Sequence, residues 1–256
     1  MPTRLTLDRH LEVIEQSAGV LIERAETAGF EAPVPTAPAW TAGKLVAHQA
    51  TVHRWAAGNV TGTDFTRNQT QIHDEEADLA AYFRSGVAEL LDALRTAPDD
   101  LKAMVFLKDA PPPRQFWARR QAHETTIHAV DAVAASLGRM PGAGECEAAL
   151  PIDVDMAVDG VDELVCGFLP RGRPKIALDE PFVVSVEPSD VETAWTLRVG
   201  PDSMVTEAGS DECDARFTGT AAELYLGLWN RGDEVVEHGS ADVLARWRKL
   251  QRVTWS

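Results

Sequence analysis

The stretch Arg120-Gln121-Ala122-His123-Glu124-Thr125-Thr126-Ile127-His128-Ala129-Val130-Asp131 holds the densest set of groups in this chain that could do chemistry. At 3.6 residues per helical turn, Glu124 and His128 lie four apart on one face, where a carboxylate oxygen and an imidazole nitrogen can share one divalent cation. His123 lies roughly 100° around the axis from Glu124 and is the poorer partner. The string His-Glu-Thr-Thr-Ile-His invites comparison with the zinc-protease signature, whose two histidines are four apart on a helix. Here Ile127 stands where the second histidine would be, and His123 and His128 diverge, so a protease is not expected.

A catalytic zinc takes three protein ligands and leaves a fourth position for water or substrate. The third must come from elsewhere, and Lys44-Leu45-Val46-Ala47-His48-Gln49-Ala50-Thr51-Val52-His53 offers two histidines. His48 falls in register with Val52 and Trp55 along the inward side of a helix, whereas His53 is turned away by roughly 140°, so His48 is preferred. Spacing alone leaves a plainer reading open, because a Glu and a His one turn apart are commonly a solvated pair. Arg120 could orient the Glu124 carboxylate and Asp131 could engage His128, or both could be structural ion pairs.

Four amphipathic helices must position these groups. Leu7, Leu11, Ile14, Ala18, Leu21 and Ile22 form one face of a helix from Thr6 to about Ala28. The proline-rich stretch from Glu31 to Ala39 predicts an extended crossing loop. Thr41 is placed to cap a second helix ending at Gly58 and Asn59. After a polar span from Thr61 to His73, Asp74 is placed to cap a third, with Leu79, Phe83, Val87, Leu90, Leu91 and Leu94 buried and Pro98 as its stop. A fourth runs from about Gln115 to Leu137 and ends at Gly138. Together they predict a four-helix bundle.

Beyond Pro141 the pattern changes. One helical stretch, Val154 to Phe168, leads into β-rich runs at Phe182 to Val186, Trp195 to Val199, Met204 to Glu207 and Arg216 to Thr218, expected to form a meander. Helical spacing returns at Ala221 to Trp229 and Ala241 to Leu250. The expectation is a two-domain α+β protein, divided into 1–145 and 146–256.

The chain has 256 residues and a formal charge of −16, which opposes binding to a phosphate backbone. No apolar run approaches the roughly 20 residues of a membrane span, and the start, MPTRLTLDRHLEVIEQ, carries no signal core. Cys146, Cys166 and Cys213 form no CxxC pair and leave one thiol over under any pairing, as a reduced, cytoplasmic compartment would permit.

Trp40-Thr41-Ala42-Gly43-Lys44-Leu45-Val46-Ala47-His48, followed by the Arg-x-x-His-Glu-x-x-x-His-x-x-Asp helix, resembles the maleylpyruvate isomerase family of actinobacterial mycothiol-dependent proteins, which belongs to the DinB-like metal-binding bundles. Phe217 to Arg231 (FTGTAAELYLGLWNR) is similar to that family's C-terminal domain, a small α+β module akin to sterol-carrier folds. The resemblance spans nearly the whole chain. It implies a DinB-like four-helix bundle with His48, Glu124 and His128 as ligands to Zn²⁺ or another divalent metal, and mycothiol as co-substrate. It matches Arg231 to an arginine that reaches the family's active site, where helix capping is the plainer reading of the same residue.

The expected function is isomerisation or S-transfer on a small electrophile by a metal-dependent enzyme with a low-molecular-weight thiol, acting as monomer or homodimer. Two alternatives stand beside it. A metal-dependent hydrolase would need Asp131 or His123 as a base. A non-enzymatic ligand-binding protein could line a pocket with Trp40, Trp55, Trp117 and Trp229, which otherwise are packing groups. Nickel, iron and manganese accept the same ligands as zinc.

Overall fold

The structure is a computed structural model that describes residues 5–240 and 242–251. The chain forms two compact units: a helical one built from 5–106 and 111–151, and a mixed one built from 107–110 and 152 onward.

In the helical unit, α1 (Leu7–Ala28) starts at Thr6, whose hydroxyl accepts the Arg9 N–H, and ends at Gly29 with φ 83°. It packs most extensively on α5 (Pro113–Leu137), while α2 (Ala42–Thr61) packs on α4 (Leu79–Thr96) and α5. Thr41 caps α2 through the Lys44 N–H, as expected. The helix nevertheless runs past Gly58 and stops at Gly62, φ 75°. A Cβ on Gly58 would stand 2.3 Å from the Thr63 carbonyl oxygen, so this glycine admits a close backbone approach and does not end the helix.

Three further expectations change. The proline-rich loop does not run extended: Val34 N–H donates to the Trp40 carbonyl at 3.1 Å and buries its side chain completely, folding the loop back on itself. The polar span contains a short helix, α3 (Gln69–Glu75), with Asp74 inside it, and Asp78 caps α4 instead. Another short helix, α6 (Ala143–Ala149), extends the helical unit.

In the mixed unit, α7 (Val154–Asp162) passes into a π-helical turn, Glu163–Phe168, and a 3₁₀ turn, Leu169–Arg171. The Val165 carbonyl in that wide turn accepts the Thr206 hydroxyl at 2.5 Å. A five-stranded sheet follows, with β1 (Phe182–Pro188), β2 (Trp195–Val199), β3 (Met204–Ala208), β4 (Ala215–Gly219) and β5 (Val236–Gly239) in the order β3-β2-β1-β4-β5. Only β1, β2 and β3 form the expected meander; β4 lies parallel to β1, with Val184 opposite Ala215, and β5 pairs with its outer edge.

Helix α8 (Ala221–Leu228) is fastened by a reciprocal capping box between Thr220 and Glu223 and packs on α7. There a Cβ on Gly160 would stand 2.2 Å from the Tyr225 ring. Helix α9 (Val243–Leu250) buries Trp247, whose indole donates to the Leu228 carbonyl at 2.9 Å; Ala241 lies outside the described residues. Trp195, Phe217, Tyr225 and Trp247 make a largely apolar core.

Candidate metal centre

The structure brings His48, Glu124 and His128 together. One ligand-capable atom from each lies within 4.8 Å of the others. Both Glu124 and His128 project from one face of α5, as i,i+4 spacing requires, and His48 comes from α2 beside it. Glu124 Oε1 is the focus, 3.3 Å from His128 Nε2 and 3.6 Å from His48 Nε2.

Each of the three is held from behind by a neighbour. Arg120, almost fully buried, donates from its guanidinium to Glu124 Oε2 at 2.9 Å, which turns Oε1 toward the imidazoles. His128 Nδ1 lies 3.0 Å from Asp131 Oδ2, and the Thr36 hydroxyl donates to the other Asp131 oxygen at 2.5 Å. His48 Nδ1 lies 2.9 Å from Gln69 Oε1. Trp40 covers the pair, with its ring centroid 4.7 Å from His48 and 5.8 Å from His128, nearly parallel to the latter at 17°.

Burial alone would push the Glu124 carboxyl up, but the His128 and His48 imidazoles and the Arg120 charge outweigh it and hold the group well below the usual carboxylate range. Burial would likewise push His128 down, yet Asp131 and Glu124 together raise it to about 9. Glu124 is therefore an anion at neutral pH.

These residues suit a divalent cation. His48 Nε2 and Glu124 Oε1 are buried and lack any hydrogen-bond partner, which is costly unless something else satisfies them. Tetrahedral zinc with bonds of about 2.0–2.2 Å to nitrogen and oxygen has ligand-to-ligand edges of about 3.3–3.6 Å. The observed 3.3 and 3.6 Å fall in that range, and 3.6 Å is too long for a hydrogen bond.

His53 and His123 stand apart from the trio within the helical unit. His53 is fully buried inside the bundle, with Nε2 2.8 Å from Gln49 Nε2 and 2.9 Å from the Thr125 hydroxyl. Burial pushes it down to about 3, against the opposing pull of Glu124 and with help from the Arg54 charge. His123 is buried edge-on to His10, their ring centroids 6.5 Å apart. Arg231 belongs to the mixed unit, just past α8, where its guanidinium donates to the Trp229 carbonyl at 3.0 Å.

Among the tryptophans, Trp55 and Trp117 stack edge-on 5.0 Å apart and pack with Phe106 and Phe116; Trp229 lies edge-on to Phe168. These are packing groups within their own units, and Trp40 adjoins the trio. Gln69, Thr36 and the covering role of Trp40 were not anticipated. The Gln and Thr sit in loop-like polar sequence that carries no periodic signal.

Two family models match the chain in order. Residues 12–133 match the mycothiol maleylpyruvate isomerase N-terminal domain, and residues 155–249 match the C-terminal domain of the same isomerase. The chain belongs to the mycothiol maleylpyruvate isomerase family. Solved structures agree on the fold. A crystal structure of a mycothiol-dependent maleylpyruvate isomerase superposes with a TM-score of 0.62 at 17% identity, covering 93% of this chain and 95% of its own. A histidine-to-alanine mutant of a mycothiol-dependent maleylpyruvate isomerase gives 0.62 at 19% identity with the same coverage. No curated protein matches the sequence. The two-domain α+β architecture of the family is thus the architecture of this chain, and no helix among its described residues is long and apolar enough to cross a membrane.

Proposed function

We propose that this protein is a mycothiol-dependent isomerase of small electrophiles whose centre, His48, Glu124 and His128, holds a divalent cation, with zinc the best match. The observation that carries the reading is the trio of converging ligand atoms, two of them buried and unsatisfied, in a chain both of whose domains match this family. When bound, the cation would accept the sulfur of the thiol and lower its pKa, so that the nucleophilic thiolate is available at neutral pH.

The chain's own residues prepare that site. Arg120 holds Glu124 by one oxygen and leaves the other directed at the imidazoles, and the Trp40 ring packs against both histidine rings. In isomerisation, the thiolate adds to one carbon of an activated cis double bond, the resulting single bond rotates, and expulsion of the same thiolate gives the trans alkene. No atoms are gained or lost. S-transfer would stop after addition, with a proton taken up at the neighbouring carbon. Hydrolysis finds less support, since Asp131, its nearest base, is committed to His128 and Thr36.

The test combines elemental analysis of untagged protein with isomerisation assays. About one equivalent of zinc, and cis–trans conversion of a maleyl compound only when mycothiol is added, is expected. Turnover without thiol, or full activity after the metal has been stripped, would overturn the reading.

A further inference from the structure

A neutral imidazole can bind a cation only through the nitrogen that lacks the hydrogen, so a two-histidine centre needs each ring held in one tautomer. In this protein that task is shared between Gln69 and Thr36, which lie outside the two ligand-bearing helices, and Asp131 on α5 itself. Gln69 Oε1, an acceptor, stands 2.9 Å from His48 Nδ1, which places the hydrogen on Nδ1 and leaves Nε2 with its lone pair. That Nε2 is the buried, unpartnered atom facing Glu124.

His128 is oriented from another direction. Its Nδ1 donates to Asp131, and Asp131 is itself fixed by the Thr36 hydroxyl from the folded-back loop.

The segment carrying Gln69 is built to stay in place although it contributes little to the core. Helix α3 buries only Ile72, which is too little for a seven-residue helix to persist by packing. It is fastened instead by the reciprocal capping box between Asn68 and Gln71 and by Arg67, which pairs with Glu75 and Glu76. Gln69 is its first residue. A capping box fixes the backbone at that point, and so fixes where the side chain starts.

We propose that Gln69 and the Thr36–Asp131 pair are the positioning residues of the centre, each holding one imidazole with its Nδ1 hydrogen outward and its Nε2 toward Glu124. This rests on the metal-centre reading above and adds to it which residues prepare the site.

The experiment measures zinc affinity by chelator competition on the full chain for wild type, Gln69→Leu, Gln69→Glu and Thr36→Val, with nitrogen-15 NMR of the histidine rings. Loss of such partners typically weakens metal binding about 10–100-fold. Since Gln69 is exposed, about tenfold weakening is expected for Gln69→Leu, little or none for Gln69→Glu, which keeps an acceptor, and a larger loss for Thr36→Val. In metal-free wild type the neutral His48 ring should carry its hydrogen on Nδ1, and Gln69→Leu should shift it toward Nε2. Zinc bound by wild type and equally well by Gln69→Leu and Thr36→Val, or His48 found with its hydrogen on Nε2, would overturn the inference while leaving the metal centre intact. Wild type that binds no zinc would overturn the metal reading, and the NMR would still decide whether Gln69 sets the His48 tautomer.

Discussion

The two units bury different things. In the mixed unit the large buried side chains are mostly aromatic and aliphatic, with Asp159, Asp162 and Glu163 as its buried charged groups, and two of its indoles find partners, Trp195 donating to Asp162 at 3.1 Å and Trp247 to the Leu228 carbonyl. The helical unit buries His10, Gln49, His53, Arg54, Arg120, His123, Glu124 and Asp131. Its longest helix, α5, is buried on nearly every side although its middle, Arg119 to Asp131, is rich in polar and charged residues. Buried charge destabilises a fold unless it is paired, and replacing it with apolar groups is often neutral or better. Arg119, Arg120, His123, Glu124 and Asp131 all lie buried in α5, the helix that carries two of the proposed ligands. On the proposed function, substitutions in the two units should therefore affect bound metal and stability differently, and they can be chosen to sharpen or break that contrast.

The largest effect should come from the ligands. His48→Ala, Glu124→Ala and His128→Ala should each lose zinc below detection while the far-ultraviolet circular dichroism stays helical; retained metal in all three would dissolve the functional half of the contrast. Trp247→Ala should show the opposite behaviour. Emptying its fully buried site should cost about 3–5 kcal/mol in urea denaturation, with zinc affinity of the folded protein unchanged. Arg120→Met joins the two regimes: it strands the buried Glu124 carboxylate and should cost about 3–5 kcal/mol without metal, much of it regained when zinc is added.

A smaller effect concerns pH. The folded-state value of His53, about 3, lies below its ordinary 6.5, so the unfolded chain binds that proton more readily. Stability from keeping this ring neutral is complete above about pH 6.5 and is lost as pH falls toward 3, by up to about 1.4 kcal/mol per pH unit. His53→Gln should be less sensitive to acid than wild type over that window, measured with chelator present. A parallel pair of curves would show that the ring is not held neutral. Smallest of all, Arg231→Ala should cost about 1 kcal/mol for its carbonyl hydrogen bond and leave zinc content unchanged. Should that arginine act in the reaction as the family resemblance implies, kcat/KM would fall without any change in bound metal.

Much of this contrast was legible in the residues. Periodicity located the long helices, most clearly α1 and α4, whose apolar residues form one stripe, and Thr41 caps α2 where expected. The helix angle separated His48 from His53 but misassigned the inward side: His53 is fully buried in the bundle interior, whereas His48, Val52 and Trp55 are only half-buried. Helix α3 was missed since a polar seven-residue segment with one buried side chain has no stripe to detect. Strand β5, short and mostly exposed, lacks alternation, and the parallel pairing of β1 with β4 joins segments far apart in sequence, which no local pattern encodes. Gln69 and Thr36 were invisible for the related reason that a ring-orienting contact depends on loop closure, as between Val34 and Trp40, and not on spacing along a helix.

Trp40 gives the centre an optical signature. An indole lying 4.7 and 5.8 Å from the two imidazoles is within contact range of whatever they bind. A cobalt(II) or copper(II) ion introduced there would drain the excited state of that ring, so its emission would dim in proportion to occupancy. With seven tryptophans in the chain, the part of the quenching that disappears in Trp40→Phe isolates this one. The ring that packs against both histidines thus doubles as a built-in gauge of how full the site is.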